Sequence, residues 1–453
     1  MSMGELVDIT SLTATEALAA LREGRTSAEV LVGGCLARIR ADEGRVQAWA
    51  FVDEERALEQ ARAVDLVRRE GRLVGPLHGL PVGVKDVIDT ADMPTENGTV
   101  LHAGRRPAHD ATVVERLRLA GAIVLGKTVT TELATYAPGR TRNPHNPEHT
   151  PGGSSSGSAA AVAANMVPVA VGTQTNGSVI RPAAFCGVVG YKPTFGWVSR
   201  HGILRQSRPL DQVGFFARSV EDLAILAEPL TGYDERDPDT RPMARAGLLE
   251  AALQEPPLPP TFAFTKTPNW DETEDQTRLA FDELTEALGP QSMPFEVPAI
   301  FGAAWQWQRA IMEADIARNF HEFYERGRDR LSESLRGQIE RGRQVSAIDY
   351  NNAVDRIPAT SAAFDVIFER CDAILTAATA GPAPRGLGST GSPAFCTLWT
   401  FAGMPAVTLP LLRAENGLPM GIQLVGRRGD DARLLRTARW LVSWVGDLDS
   451  DAG

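Results

Sequence analysis

The chain has 453 residues, enough for one large α/β domain or about two to three ordinary ones. Apolar residues make up 43% and charged residues 23%, which excludes a disordered or fibrous protein. Lys plus Arg total 46 against 57 Asp plus Glu, a net charge of −11, so the basic footprint of a nucleic-acid or anionic-membrane binder is missing and a small-molecule substrate is favoured.

In chain order, Met1 to Leu6 carry no basic-then-apolar leader pattern, and no stretch reaches ~18 uninterrupted apolar residues, so a cytoplasmic protein is expected. Thr13 with Glu16, and Thr26 with Glu29, have the three-residue spacing of helix capping boxes. A charged helix over 53–71 follows, and then alternating Leu80, Val82 and Val84 read as a strand ending at Lys85. Ala111 to Ala120 reads as a helix stopped by Gly121, and Ala122 to Leu125 as a strand. Ser158 to Ala164 is rich in helix formers, and Val167 to Val171 reads as a buried strand. A Pro-rich excursion over 232–260 precedes a mainly helical insert over 270–365. Strands return at Ala373 to Thr376, Ala406 to Leu409 and Met420 to Val425, the last two joined by an Asn416-Gly417 turn, before a closing helix over 431–445. The pattern predicts a single α/β/α domain over 1–453, with a mixed central sheet built from both ends of the chain and helices on both faces.

Two Gly/Ser segments, Gly152 to Ser158 and Gly172 to Ser178, carry the chemistry together with Lys85. Serine supplies a nucleophile, an uncharged lysine a base, and glycine lets backbone N–H groups approach an oxyanion. A lysine base must be desolvated to fall from ~10.4 toward ~7–8, which suits the end of an apolar strand. The competing reading of Lys85 is a surface lysine paired with Asp86.

These three segments, with Gly126-Lys127-Thr128, Arg142-Asn143-Pro144 and Cys186 to Thr194, resemble the amidase signature family, densely from Gly79 to Asp222. The resemblance implies Ser178 as nucleophile, Ser154 as bridging serine behind a cis Gly153–Ser154 bond, and Lys85 as terminal base. It also implies an oxyanion hole of backbone N–H groups from Thr175, Asn176, Gly177 and Ser178. Asn176 stands where the family usually has glycine; asparagine tolerates positive φ, so the loop is expected to survive. The wording Gln174-Thr175 followed by Gly177 to Pro182 is close to the malonamidase branch, whose matching arginine, here Arg181, grips a substrate carboxylate. The alternative for Arg181 is that it pairs with an internal acid and holds the loop.

Other signals carry less. Gly121 to Thr128 matches the phosphate-loop pattern G-x-x-x-x-G-K-T, but its middle residues are an apolar strand. His145 and His149 are separated by Pro147, which prevents a helical metal pair, and Trp305 and Trp307 read as core or pocket residues on a helix. Cys35, Cys186, Cys371 and Cys396 lie far apart and are expected as buried free thiols. No cofactor is called for. The expected activity is hydrolysis of a small carboxamide to an acid and ammonia. The glutaminase subunit of a tRNA-dependent amidotransferase and an amidase for neutral amides are the competing functions, and a homodimer is one arrangement open to the chain.

Overall fold

Alternation of side chains along a strand puts consecutive residues on opposite faces of a sheet. Ile374 and Leu375, Ala406 and Val407, and Leu424 and Val425 are consecutive pairs on three neighbouring strands, and all six are buried. In each pair one residue joins one hydrophobic cluster and its neighbour joins the other. Both faces are therefore covered, each fully buried Leu or Ile contributing about 1.5–3 kcal/mol.

The computed structural model describes residues 9–72, 75–242, 244 and 247–451. The leading segment Met1 to Leu6 lies outside the described residues. Eleven strands form one mixed sheet: β1 (Trp49–Val52), β2 (Pro81–Lys85), β3 (Ile123–Thr128), β4 (Val169–Gln174), β5 (Val189–Lys192), β6 (Gln212–Ala217), β7 (Phe262–Lys266), β8 (Ser292–Glu296), β9 (Ala373–Ala377), β10 (Ala406–Arg413) and β11 (Pro419–Val425). Their order is β1-β3-β2-β4-β6-β5-β10-β11-β9-β7-β8, so β5 and β10 join the two ends of the chain. The helices are α1 (Ala14–Arg22), α2 (Ala28–Val46), α3 (Glu54–Arg69), α4 (Thr112–Leu119), α5 (Ser156–Ala163), α6 (Ile180–Cys186), α7 (Val220–Ala227) and α8 (Leu248–Leu253). They continue as α9 (Asp275–Leu288), α10 (Ala304–Asn319), α11 (His321–Gly327), α12 (Glu333–Gly342), α13 (Ala347–Phe364), α14 (Ala394–Phe401) and α15 (Asp431–Asp451). One cluster packs α1–α4 and α15 on the sheet; the other packs α10–α14. Among the described residues no helix is long and apolar enough to cross a membrane.

Two sequence expectations need correction. The helical insert contains β8, and β7 just precedes it; both belong to the sheet. β8 is an edge strand carrying Pro294 and is largely exposed, so its sequence shows no apolar alternation. The Thr13–Glu16 capping box forms, but α2 is capped by Ser27 rather than Thr26. Asp65 on α3 accepts from Ala28 N (2.9 Å) and Glu29 N (3.0 Å), leaving the Glu29 side chain to pair with Arg62 at 3.2 Å.

Candidate active site

β2 and β4 run parallel with Val84 opposite Val171, so their carboxyl ends emerge side by side, where open α/β sheets place their ligands. β2 delivers Lys85, and β4 delivers Thr173 and Gln174 before the chain turns through 175–179 into α6. The turn leading into α5 reaches the same place, with a cis peptide bond between Gly153 and Ser154. Glycine is needed at two points for close approach. A Cβ at Gly153 would lie 2.8 Å from Thr390 Cγ2, and one at Gly172 would lie 2.7 Å from Ser155 Oγ.

Lys85 is fully buried, and its Nζ donates to Ser154 Oγ (2.7 Å) and Thr173 Oγ1 (2.8 Å). Among the described residues it makes no salt bridge; Asp86 faces Lys127 instead, at 3.5 Å. Burial pushes the Lys85 amine well below its ordinary pKa, an effect that the charge of Asp211 partly opposes. An amine held neutral in this way can accept a proton from the hydroxyl beside it. Asp211 accepts from Thr175 Oγ1 (2.7 Å) and from Gln206 N and Ser207 N (2.9 Å each), while burial pushes it up to about 6.

Ser178 is partly exposed, and among the described residues its hydroxyl makes no hydrogen bond. The backbone N–H groups of Thr175, Asn176, Gly177 and Ser178 likewise donate to no described group, whereas those of Val179 (2.7 Å) and Ile180 (3.0 Å) are taken by Gln174 Oε1. The loop thus presents a row of unspent donors beside a free hydroxyl, the arrangement needed to receive a developing oxyanion.

Asn176 departs from expectation, because it does not take positive φ. Its side chain is used instead: Oδ1 accepts from Thr397 Oγ1 (2.7 Å), and Nδ2 donates to Tyr136 Oη (3.1 Å) and Gln308 Oε1 (3.5 Å). Its carbonyl accepts from Thr400 Oγ1 at 2.5 Å. Sequence reasoning missed Thr173, Tyr136, Gln308, Thr397 and Thr400; only Thr173 lies within a motif.

Arg181, at the start of α6, is 1% exposed. Its Nη2 donates to Gly153 O (2.7 Å) and Thr390 Oγ1 (3.2 Å). Nε and Nη1 are buried without a partner, and no carboxylate among the described residues pairs with the group, while the bond to Gly153 O ties it to the loop before Ser154. Burial pushes its proton affinity down. Beside it lies a cavity of about 700 Å³ lined by Tyr136, Trp305, Gln308, Arg309, Thr390 and Pro393, among others. Pro393 also abuts the loop, 3.0 Å from where a Cβ on Gly177 would sit. Trp305 therefore faces the cavity, while Trp307 packs on Phe401.

The signals judged weaker have structural positions. Lys127 lies within β3, donating to Ile88 O (2.7 Å) and Thr95 Oγ1 (2.5 Å), so no phosphate loop exists there. His145 and His149 contact the carbonyls of Cys186 and Ala383. All four cysteines are free and buried.

Comparison with known proteins assigns the family, for the amidase family model matches residues 31–435. The chain belongs to the amidase family. It is 35% identical to a glutamyl-tRNA(Gln) amidotransferase subunit from Chloroflexus aurantiacus, over 95% of this chain and 96% of that one. The native peptide amidase of Stenotrophomonas maltophilia shares its fold with a TM-score of 0.82 and 30% identity, over 96% of this chain and 97% of that one. A 6-aminohexanoate cyclic dimer hydrolase superposes with a TM-score of 0.83 at 28% identity, over 96% and 97% of the two chains. This amidase is accordingly a hydrolase of amide C–N bonds with a mixed α/β fold.

Proposed function

We propose that this amidase hydrolyses a small carboxamide that also carries a carboxylate, releasing ammonia through an ester on Ser178. The observation that carries the substrate class is Arg181, a buried guanidinium with two unpartnered nitrogens and no acid partner among the described residues, beside the cavity that adjoins the nucleophile loop. A substrate carboxylate would accept a charge-assisted hydrogen bond from one of these nitrogens.

In this reading Ser178 Oγ attacks the amide carbon. Its proton passes to Ser154 Oγ as the proton of Ser154 passes to Lys85 Nζ, a relay supported by the 2.7 Å contact between Lys85 and Ser154. The unspent N–H groups of Thr175 to Ser178 receive the oxyanion. The C–N bond then breaks, the leaving nitrogen takes a proton back through Ser154, and ammonia departs. Water hydrolyses the ester by the same relay in reverse. The continuous sheet supports treating the whole chain as one catalytic domain.

A second reading, the glutaminase subunit of a tRNA-dependent amidotransferase, is favoured by the 35% identity to a protein of that kind. Glutamine also bears a carboxamide and a carboxylate, so Arg181 fits both. Ammonia release by the purified chain from malonamate, glutamine and benzamide, with Ser178→Ala as the blank, separates the readings. Preference for malonamate supports the first. Turnover of glutamine only when partner subunits are added supports the second. Preference for benzamide overturns carboxylate capture.

A further inference from the structure

The polarity of the cavity wall can be traced from one fixed point, the backbone carbonyl of Thr175, which can only accept. Gln308 is fully buried and donates its Nε2 to that carbonyl at 3.2 Å. The amide of Gln308 is thereby oriented, and its Oε1 faces Asn176. An oxygen there requires a donor, so the Nδ2 of Asn176 must point toward Gln308 and its Oδ1 toward Thr397, whose hydroxyl donates at 2.7 Å. The two protons of Asn176 Nδ2 are then shared between Gln308 Oε1 and Tyr136 Oη. Tyr136 is on the receiving side of this bond. Its own proton is committed to no described group, and the residue lines the cavity together with Thr390, which holds Arg181. Burial pushes the Tyr136 phenol up, and Arg181 lies close enough for its charge to act on it.

We infer that Asn176 fixes the Tyr136 hydroxyl as a donor into the substrate cavity, making Tyr136 a second specificity residue that, with Arg181, receives the carboxylate of the substrate. This rests on the carboxylate reading above and adds a residue to it. Asn176 is the positioning residue and Tyr136 the one that touches substrate. A glycine at 176 would leave the hydroxyl free to accept or donate. The asparagine fills one acceptor position of the phenol and leaves its proton for the cavity, which favours an anionic acceptor.

The test compares kcat/KM for malonamate with that for benzamide in the wild type, Tyr136→Phe, Asn176→Asp and the double variant, with folding checked by circular dichroism. The malonamate-to-benzamide ratio is expected to fall about 10- to 100-fold in Tyr136→Phe, chiefly through KM for malonamate. Asn176→Asp sets an acceptor against Tyr136 and turns its proton away from the cavity, so adding Tyr136→Phe to it should lower the ratio by no more than about twofold. A ratio that is unchanged in Tyr136→Phe, while the wild type prefers malonamate, overturns the role of the hydroxyl and leaves carboxylate capture standing. A full further drop in the double variant overturns the positioning role of Asn176. A wild type that does not prefer malonamate overturns both readings together.

Discussion

Replacing Lys85 with methionine separates catalysis from stability most sharply. The side chain is fully buried, and its amine holds the hydroxyls of Ser154 at 2.7 Å and Thr173 at 2.8 Å. Methionine has nearly the same length and no proton to give or take. Losing the two bonds costs about 1–3 kcal/mol each where a hydroxyl is left unpaired, offset by no longer burying an amine, so the net change should stay within about 2 kcal/mol. Turnover, by contrast, should fall at least about 1,000-fold, because the relay loses its terminal base. The pH dependence carries a second signature. The folded-state pKa of Lys85 is lowered, so between that value and the unfolded value of ~10.4 the unfolded chain binds the extra proton and stability rises with pH. That rise should be smaller in Lys85→Met than in the wild type, with buried Lys127 and Lys192 contributing equally to both. Ammonia release and thermal melts across pH 6–10 provide the assay. A folded Lys85→Met enzyme within about tenfold of wild-type activity would falsify the Ser-Ser-Lys relay.

Three further outcomes are expected. Ser178→Ala should abolish ammonia release and Ser154→Ala should reduce it severely, both with unchanged circular dichroism; an ester trapped by mass spectrometry on any residue other than Ser178 would contradict the assignment. Arg181→Met should lower the malonamate-to-benzamide ratio of kcat/KM about 100-fold and cost about 1–3 kcal/mol of stability, because the buried Gly153 carbonyl and Thr390 hydroxyl lose a donor. A collapse of stability would show that the guanidinium is structural. Asp211→Asn removes a charge that raises the proton affinity of Lys85, so the acidic limb of the rate profile should move to lower pH; a limb that stays in place refutes that coupling.

The elements of the candidate site were legible in the sequence wherever chemistry and local structure coincide. Lys85 could be found because an alternating apolar strand ends on it, and the serine loops because glycine is concentrated where backbones must approach closely. Asn176 was read through its own backbone, as a question of φ. Its function instead lies in partners 40, 132 and 221 residues away, Tyr136, Gln308 and Thr397, which no local pattern connects. The cap of α2 was misplaced by one residue because Asp65, on the next helix, takes the N–H groups that a capping box would have served. Strand β8 escaped notice because a largely exposed edge strand needs no apolar alternation. Arg181 could be read two ways from sequence, and only its surroundings show the missing acid.

The pairing of β5 with β10 has a consequence for synthesis of the protein. By the time Lys85, Ser154 and Ser178 have left the ribosome, the hydroxyls of Thr397 and Thr400 that hold Asn176 do not yet exist, nor does Pro393 behind Gly177. The middle of the sheet must wait for strands made more than two hundred residues later, at a translation rate of about 5–20 residues per second. The nascent chain therefore carries the proposed catalytic groups for many seconds without the contacts that hold Asn176, and hydrolytic activity should begin only once Thr397 and Thr400 have been made and have docked.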